Sequence, residues 1–242
     1  MSISTLSDDI SGQEVTVLFS GGRDSTLTVC FLILKGAKVH LLTGNSGLGI
    51  GSDSVETRYR ELFGKFGNKI VTWKTVDTRG LLRAIAFKNI EEDFKQYRYN
   101  LILLGEKTAL HTEAIVYSLA SGIKYIADGT AQYQKHLSEQ MPESISFFTN
   151  LSEDYGIKYI TPILGAENEE QVKEQLFLLG LSTKSLESVS LFSDSFTAPA
   201  EGISALYLSK KKWICTRYIS FRQGHFSGFE SLTSSEGISN KS

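Results

Sequence analysis

The strongest constraint on the fold is a predicted strand that runs directly into a glycine turn and then a helix. The apolar run Val15–Phe19 is rich in β-branched and aromatic residues, as buried strands are. It ends at Ser20–Gly22, and the apolar segment Leu27–Leu34 that follows is long enough for a helix. A strand, a glycine turn and a helix N-terminus form a general anion site, because backbone N–H groups and the positive end of the helix dipole face one point.

Most side chains of this turn suit a bound phosphate. Glycine permits positive φ and a close approach of the backbone, while hydroxyl and cationic groups add donors and charge. The residues concerned are Gly21, Gly22, Ser20, Ser25 and Arg23. Asp24 is discordant, because a carboxylate repels phosphate. It fits if it meets the phosphates through Mg²⁺ or caps the helix from the first turn.

The order Ser-Gly-Gly-x-Asp-Ser after a strand resembles the PP-loop of the ATP pyrophosphatase superfamily, the N-type or adenine-nucleotide α-hydrolase-like enzymes. In those enzymes the loop binds the β,γ-pyrophosphate of ATP, a substrate oxygen attacks the α-phosphorus, and pyrophosphate leaves. The resemblance implies ATP and Mg²⁺ as cofactors, Ser20–Thr26 as binding residues, Asp24 and Ser25 as catalytic residues and Asp24 as metal ligand. The Walker A pattern is absent from the sequence. The alternative is an ordinary tight turn without a ligand.

The rest of the chain continues the alternation of strands and helices that is typical of a parallel α/β fold. Helix patterns separate the later apolar runs, and a helix between two strands indicates parallel pairing. We therefore predict a doubly wound, Rossmann-like, mostly parallel sheet of five or more strands with helices on both faces. The further predicted strands are 37–43, 69–77, 100–105, 125–130 and 160–164, and the further helices are 55–66, 106–120, 142–155 and 167–179.

Two later turns supply the remaining candidate site residues. Asp128, Gly129 and Thr130 follow a predicted strand, and Lys107 follows another. Loops at the carboxyl ends of parallel strands border the ligand crevice, so these residues are predicted to bind nucleotide, with Lys107 as a catalytic residue. His111 lies one helical turn after Lys107 and could share its role, or it is a partly exposed histidine without one.

The segments after residue 128 resemble those of the 7-cyano-7-deazaguanine synthase branch of the superfamily. Gly129–Ala131, Met141–Ser144 and Thr161–Leu164 stand in the order of that branch's Gly-x-Asn turn, Tyr-Pro-Asp-Cys-Arg segment and Pro-Leu strand. The resemblance implies a small-molecule substrate whose carboxylate or carbonyl oxygen is activated for attack by nitrogen. Its Asp-Cys-Arg residues and zinc cysteines are absent from this sequence, which leaves the substrate open. The glycine run 44–52 is either a loop that closes over the site or a plain flexible loop.

Basic and aromatic residues alternate over Leu208–Phe226, near the end of the chain. Such interleaving suits RNA, because cations meet phosphates and aromatic rings stack on bases. A terminal strand with a charged edge is the alternative, and the net charge of −2 favours it. A tRNA-modifying sulfurtransferase would have to use Cys215 as its sulfur carrier, since Cys30 is predicted to be buried in the first helix.

Composition predicts an ordinary soluble globular protein of the cytoplasm. Two cysteines exclude a disulfide scaffold and an all-cysteine zinc site. No signal peptide is evident and no apolar run approaches ~20 residues, so no membrane partner is expected. The superfamily implies a possible homodimer, and a non-catalytic ATP-binding module remains an alternative. We predict a flexible N-terminus (1–12), an ATP-binding domain (13–180), a C-terminal extension (181–226) and a disordered tail (227–242).

Overall fold

The computed structural model of the protein describes residues 9–50, 52–187, 189–192 and 198–233. The strands are β1 (Glu14–Leu18), β2 (Lys38–Asn45), β3 (Gly49–Ile50), β4 (Ile70–Asp77), β5 (Tyr125–Ala127), β6 (Lys158–Ile160) and β7 (Val189–Ser190). The helices are α1 (Arg23–Leu34), α2 (Ser52–Phe66), α3 (Arg79–Leu82), α4 (Ile90–Tyr97), α5 (Ile102–Ser121), α6 (Pro142–Glu153), α7 (Glu169–Leu178) and α8 (Ile203–Thr233). A π-helical turn, Arg83–Phe87, continues α3.

Five strands form a parallel sheet in the order β4-β2-β1-β5-β6. The chain passes from β1 outward to β2 and β4, and then returns to the other side for β5 and β6. The winding therefore reverses between β1 and β5. Ligands of open α/β sheets bind at such a switch point, outside the carboxyl ends of the strands. The predicted doubly wound parallel sheet is confirmed, and the glycine turn after β1 lies at its switch point.

Both faces of the sheet are covered by helices. On β1, Val15 and Val17 pack into the core formed with α1, α2 and α7. Leu18 belongs to the opposite core, formed with α5, α6 and α8, and the Thr16 hydroxyl lies 2.8 Å from that of Ser118 on α5. Burial on both faces explains why the strands have continuous apolar runs. Cys30 on α1 is fully buried, as predicted.

The predicted strand at 100–105 is wrong, because these residues begin α5. Asn100 accepts a hydrogen bond from the backbone N–H of Ile102 (3.1 Å) at the start of that helix. Leu101 and Leu104 are buried against the π-helical turn and α8, so the segment is apolar throughout. A short apolar run of this kind cannot be assigned to strand or helix from periodicity.

The predicted terminal strand within Leu208–Phe226 is also wrong, because these residues belong to α8. The buried positions Leu208, Lys211, Cys215 and Ile219 recur every three or four residues. The three apolar ones belong to the core with α5 and α6, while Lys211 pairs with Asp93 on α4. The other basic residues and the aromatic residues of the segment lie largely on the outer faces of this helix. α8 continues to Thr233, past the boundary proposed at residue 226. The ends predicted to be flexible or disordered fall largely outside the described residues, at 1–8 and 234–242.

The glycine run 44–52 contains β3, which pairs antiparallel with β7. This two-stranded ribbon joins the loop after β2 to the segment after α7. No helix in the described ranges combines the length and the apolar character needed to cross a membrane.

Candidate nucleotide-binding site

The loop between β1 and α1 is held by its own hydroxyl groups. Gly21 has a φ of +78°, in the left-handed region that favours glycine. The Ser20 and Ser25 hydroxyl oxygens are 3.1 Å apart, and the backbone N–H of Gly22 donates to Ser20 Oγ (3.2 Å). Ser25 and Thr26 donate their hydroxyls to the carbonyl of Gly22 (3.2 and 2.6 Å). The first turn of α1, whose N–H groups have no partners within the helix, thus points at the switch point.

Gly129 brings the turn after β5 into contact with this loop. A Cβ atom at this position would lie 2.6 Å from the backbone nitrogen of Ser25 and 2.8 Å from the carbonyl carbon of Asp24. Thr28 on α1 adds a second link by donating its hydroxyl to the carbonyl of Asp128 (3.2 Å). The structure therefore brings together the two turns that the sequence predicted to bind nucleotide.

A buried ion pair lies beside this contact. Lys107 Nζ is 2.7 Å from Asp128 Oδ2, and their side chains are 13% and 6% exposed. Lys107 also donates to Thr130 Oγ1 (2.9 Å), while Tyr159 donates its hydroxyl to Asp128 (2.6 Å). Burial alone would raise the pKa of Asp128, but the Lys107 ammonium and the hydrogen bonds outweigh it and lower the pKa. The pair therefore holds a fixed cation next to Thr130.

His111 lies behind Lys107 in the core, so its predicted partial exposure is wrong. Its ring is fully buried between Phe148 and Tyr159, with centroid distances of 4.7 and 5.0 Å. His111 Nε2 is 2.8 Å from the Ser152 hydroxyl. Burial lowers the pKa of His111 to about 3, so the ring is neutral at physiological pH. Lys107 and His111 therefore lie on one face of α5, and His111 contacts α6 in the core.

Asp24 is held by Tyr133, which sequence reasoning did not single out. The Tyr133 hydroxyl donates to both carboxylate oxygens, at 2.8 and 2.9 Å. Burial raises the pKa of Asp24 to about 6, the Tyr133 hydrogen bond opposes this, and Glu187 adds to it. Tyr133 lies in a short 3₁₀ turn of the polar segment after β5, and no motif there marks it.

The acidic groups near the loop suit a cation that is shared with phosphates. Within the described part of the chain, no three His, Cys, Asp or Glu residues gather to hold a metal ion by themselves. Mg²⁺ usually takes one or two carboxylates together with substrate phosphates and water. Asp24, at the first turn of α1, fits this arrangement. Arg23 is placed differently, because its guanidinium forms an ion pair with Glu169 on α7.

Arg58 on α2 is a second residue that sequence reasoning missed. Its side chain is fully buried and its Nε donates to the carbonyl of Gly21 in the loop (3.4 Å). Its Nη atoms donate to the carbonyls of Ser182 (2.9 Å) and Lys184 (2.5 Å). These two residues belong to the segment Ser182–Glu187, which we call the strap. One guanidinium thus links the loop to the strap.

A groove of about 940 Å³ opens between α3, the π-helical turn and α8. Its wall on α8 carries exposed rings, since Trp213 is 58% and Phe221 is 64% exposed. Cationic side chains, Lys88, Lys210 and Arg217, also line it. Asp77, at the carboxyl end of β4, also lines the groove. β4 lies two strand positions from β1, which corresponds to roughly 10 Å along the same edge of the sheet.

Cys215 faces away from this groove. It is fully buried in the core between α8 and α5. Burial raises the pKa of its thiol to about 11. A sulfur carrier needs an accessible thiolate, and this cysteine supplies neither the access nor the charge.

We compared the chain with known protein families, curated proteins and solved structures. No family model matches the chain. An uncharacterized protein of Methanocaldococcus jannaschii is 32% identical over 153 residues, which are 63% of this chain and 66%, just under two thirds, of that protein.

Solved structures with the same fold include a 4-thiouridine synthetase–RNA complex with bound ATP. Its TM-score is 0.65 at 15% identity over 89% of this chain, and the match spans only 54% of that chain. The U34-tRNA thiolase NcsA from Methanococcus maripaludis with its 4Fe–4S cluster has a TM-score of 0.51 at 16% identity, over 98% of this chain and 77% of its own. The chain therefore has the fold of these two enzymes, and its Ser20–Ser25 loop has the residue order that resembles the PP-loop motif.

Proposed function

We propose that the protein is an ATP-dependent enzyme that adenylates its substrate. A substrate oxygen would form a bond to the α-phosphorus of ATP, the bond from that phosphorus to the bridging oxygen would break, and pyrophosphate would leave. The contact of Gly129 with the start of α1 carries this proposal. It places the turn after β5 beside the anion loop, so that a substrate at one turn would meet a nucleotide at the other. The bound ATP of the 4-thiouridine synthetase, which shares the fold, supports ATP as the ligand.

Different groups of the site would bind different parts of the nucleotide. The N–H groups at the start of α1 and the hydroxyls of Ser20 and Ser25 would hold the β- and γ-phosphates, where negative charge grows as pyrophosphate leaves. Lys107, held by Asp128, would face the α-phosphate from the side of β5. Asp24 would hold Mg²⁺, which neutralises charge on the phosphates when it is bound.

The proposal carries a pH dependence. Because burial raises the pKa of Asp24 to about 6, its carboxylate is ionised above that pH and protonated below it. A protonated Asp24 cannot hold a cation, so kcat/KM for Mg·ATP, which reports on the free enzyme, should fall as the pH drops through about 6.

The substrate has two candidate classes. A carboxylate or carbonyl compound activated for attack by nitrogen is the first, from the resemblance to the 7-cyano-7-deazaguanine synthase branch. A tRNA is the second, and the groove along α8 favours it, because Trp213 and Phe221 could stack on bases while Arg217 meets phosphates. The names of the 4-thiouridine synthetase and the U34-tRNA thiolase also favour RNA. For a tRNA substrate, the burial of Cys215 argues for modification without a cysteine-bound sulfur.

The test is product analysis with Mg·ATP and either a metabolite extract or total tRNA. AMP and pyrophosphate are expected, and they should disappear in the Asp24→Asn/Ser25→Ala double variant. ADP and phosphate would contradict the proposal, and bound but uncleaved ATP with both substrate pools would indicate a non-catalytic module.

The tRNA candidate has its own matched test. Trp213→Ala should weaken tRNA binding, while Phe177→Ala, which removes an even more exposed ring (72% against 58%) from α7, outside the groove, should leave it unchanged. Equal tRNA affinity in the two variants would exclude the groove as the RNA site.

A further inference from the structure

The strap Ser182–Glu187 lies directly on the anion loop. If Gly21 had a Cβ atom, it would lie 2.8 Å from the carbonyl oxygen of Leu186, the fifth residue of the strap. A Cβ atom on Gly22 would lie 2.5 Å from the carboxylate oxygen Oε2 of Glu187 and 3.1 Å from Ser20 Oγ. The carboxylate therefore stands beside the same backbone that the proposed function assigns to phosphate.

The two ends of the strap are held very differently. At Ser182–Lys184, two carbonyls accept hydrogen bonds from the buried Arg58, and the N–H of Ser182 donates to Glu61. Glu187 is exposed, and its carboxylate accepts a hydrogen bond from the hydroxyl of Ser185 (2.9 Å), which belongs to the strap itself. The backbone is held by Arg58 at one end and by the pairing of β7 with β3 after the other end, so the Glu187 side chain can leave the loop while both attachments stay in place.

The position of the carboxylate follows from electrostatics. The start of an α-helix attracts an anion, and a carboxylate near the first turn is stabilised there. Glu187 also lies near Asp24, so a second negative charge faces this helix end. A polyphosphate carries more charge than Glu187 and would approach the same side of the loop backbone at Gly22, so the two anions would exclude each other.

We propose that Glu187 is a built-in competitor for the polyphosphate of the nucleotide. Its carboxylate rests on the loop, and a bound triphosphate displaces it while Arg58 keeps the other end of the strap anchored. The inference rests on the proposed function, because it assumes that the loop binds the phosphates of ATP. It adds a regulatory element: any interaction that holds the Glu187 end of the strap away from the loop would raise the affinity for nucleotide.

The first test is calorimetric titration of tripolyphosphate and of Mg·ATP into three proteins: the wild type, Glu187→Gln and Glu153→Gln. Glu153 is an exposed acid at the end of α6 and serves as the matched control for a change in net charge. Glu187→Gln should bind both ligands about two- to fivefold more tightly, from the usual interaction of a carboxylate with a helix start. The control should match the wild type.

Two outcomes of the titration would overturn the competition. Equal affinity in the wild type and Glu187→Gln would show that the carboxylate does not oppose binding. Weaker binding by Glu187→Gln would show that Glu187 is a ligand of the nucleotide or of its metal ion. Binding by neither protein would overturn the proposed function itself, which separates the two failures.

The second test measures the movement of the strap by hydrogen exchange of its backbone amides. Saturating Mg·ATP should speed exchange at 185–187, while amides at the anchored Ser182–Lys184 end keep their rates. Slower exchange at 185–187 would show that the strap closes over the nucleotide, and it would overturn displacement.

Discussion

Replacing Asp24 by asparagine is expected to stabilise the protein at pH 8, although the residue lies in the proposed nucleotide site. Burial raises the pKa of Asp24 from 3.8 to about 6. Between pH 3.8 and 6 the folded protein therefore keeps a proton that the unfolded chain has lost. Raising the pH through this range lowers the free energy of unfolding, and above pH 6 the whole decrease is present. The shift corresponds to about 3 kcal/mol at pH 8 and roughly 0.6 kcal/mol at pH 4.

The assay is urea unfolding of the wild type and Asp24→Asn at the two pH values. The variant should gain up to about 3 kcal/mol at pH 8 and little at pH 4, while its ATP turnover is lost at both. Tyr133→Phe is the companion variant, because it removes the hydrogen bond that favours the charged carboxylate. It should lower stability at pH 8 more than at pH 4. A stability difference between wild type and Asp24→Asn that does not change with pH would refute the reasoning.

Three further predictions concern other residues. Gly129→Ala should destabilise the protein by about 1–3 kcal/mol in urea unfolding, because its Cβ would collide with the loop backbone. The control is Gly64→Ala on α2, whose Cβ would meet no atom within 4 Å, and it should be neutral or stabilising by up to about 1 kcal/mol. Lys107→Met should cost about 3–5 kcal/mol, because it leaves Asp128 charged and buried, and adding Asp128→Asn should recover most of that loss. Cys215→Ala should retain AMP formation. If this variant no longer forms AMP, the hypothesis that Cys215 carries sulfur would be restored.

Local sequence signals were enough to predict the centre of the fold. β1, the glycine turn and α1 are continuous in sequence, and each part has its own residue preference, so their arrangement does not depend on distant contacts. The pairing of the turns after β1 and β5 was predictable for a different reason. Parallel strands of one sheet end at the same edge, so Asp128–Thr130 had to lie near Ser20–Ser25.

The two wrong strand predictions fall in segments whose hydrophobic pattern does not distinguish a strand from a helix. Leu101–Leu104 is apolar throughout because it is buried on several sides, which suits a strand and a helix start equally well. On α8, the buried Lys211 obscures the helical period in the sequence, because a lysine interrupts the spacing of the apolar residues. In the structure it lies within the core, paired with Asp93.

The site residues that were missed depend on distant contacts. The Tyr133 hydroxyl reaches Asp24 across 109 residues of chain, and Arg58 reaches Lys184 across 126 residues. A tyrosine in a polar turn and an arginine in a helix have no local feature that marks such a partner. Only the tertiary arrangement gives them a role.

The position of Arg58 has a consequence for where the chain can be cut. A fragment that ends at residue 180 keeps all five strands of the main sheet and all residues of the proposed nucleotide site. It also removes Ser182 and Lys184, and so deprives a fully buried guanidinium of two of its acceptors. An unmet buried donor costs about 1–3 kcal/mol, and more when it is charged. We therefore expect any autonomously folding unit to extend at least through Lys184, so that the start of the strap is an integral part of the proposed nucleotide-binding domain.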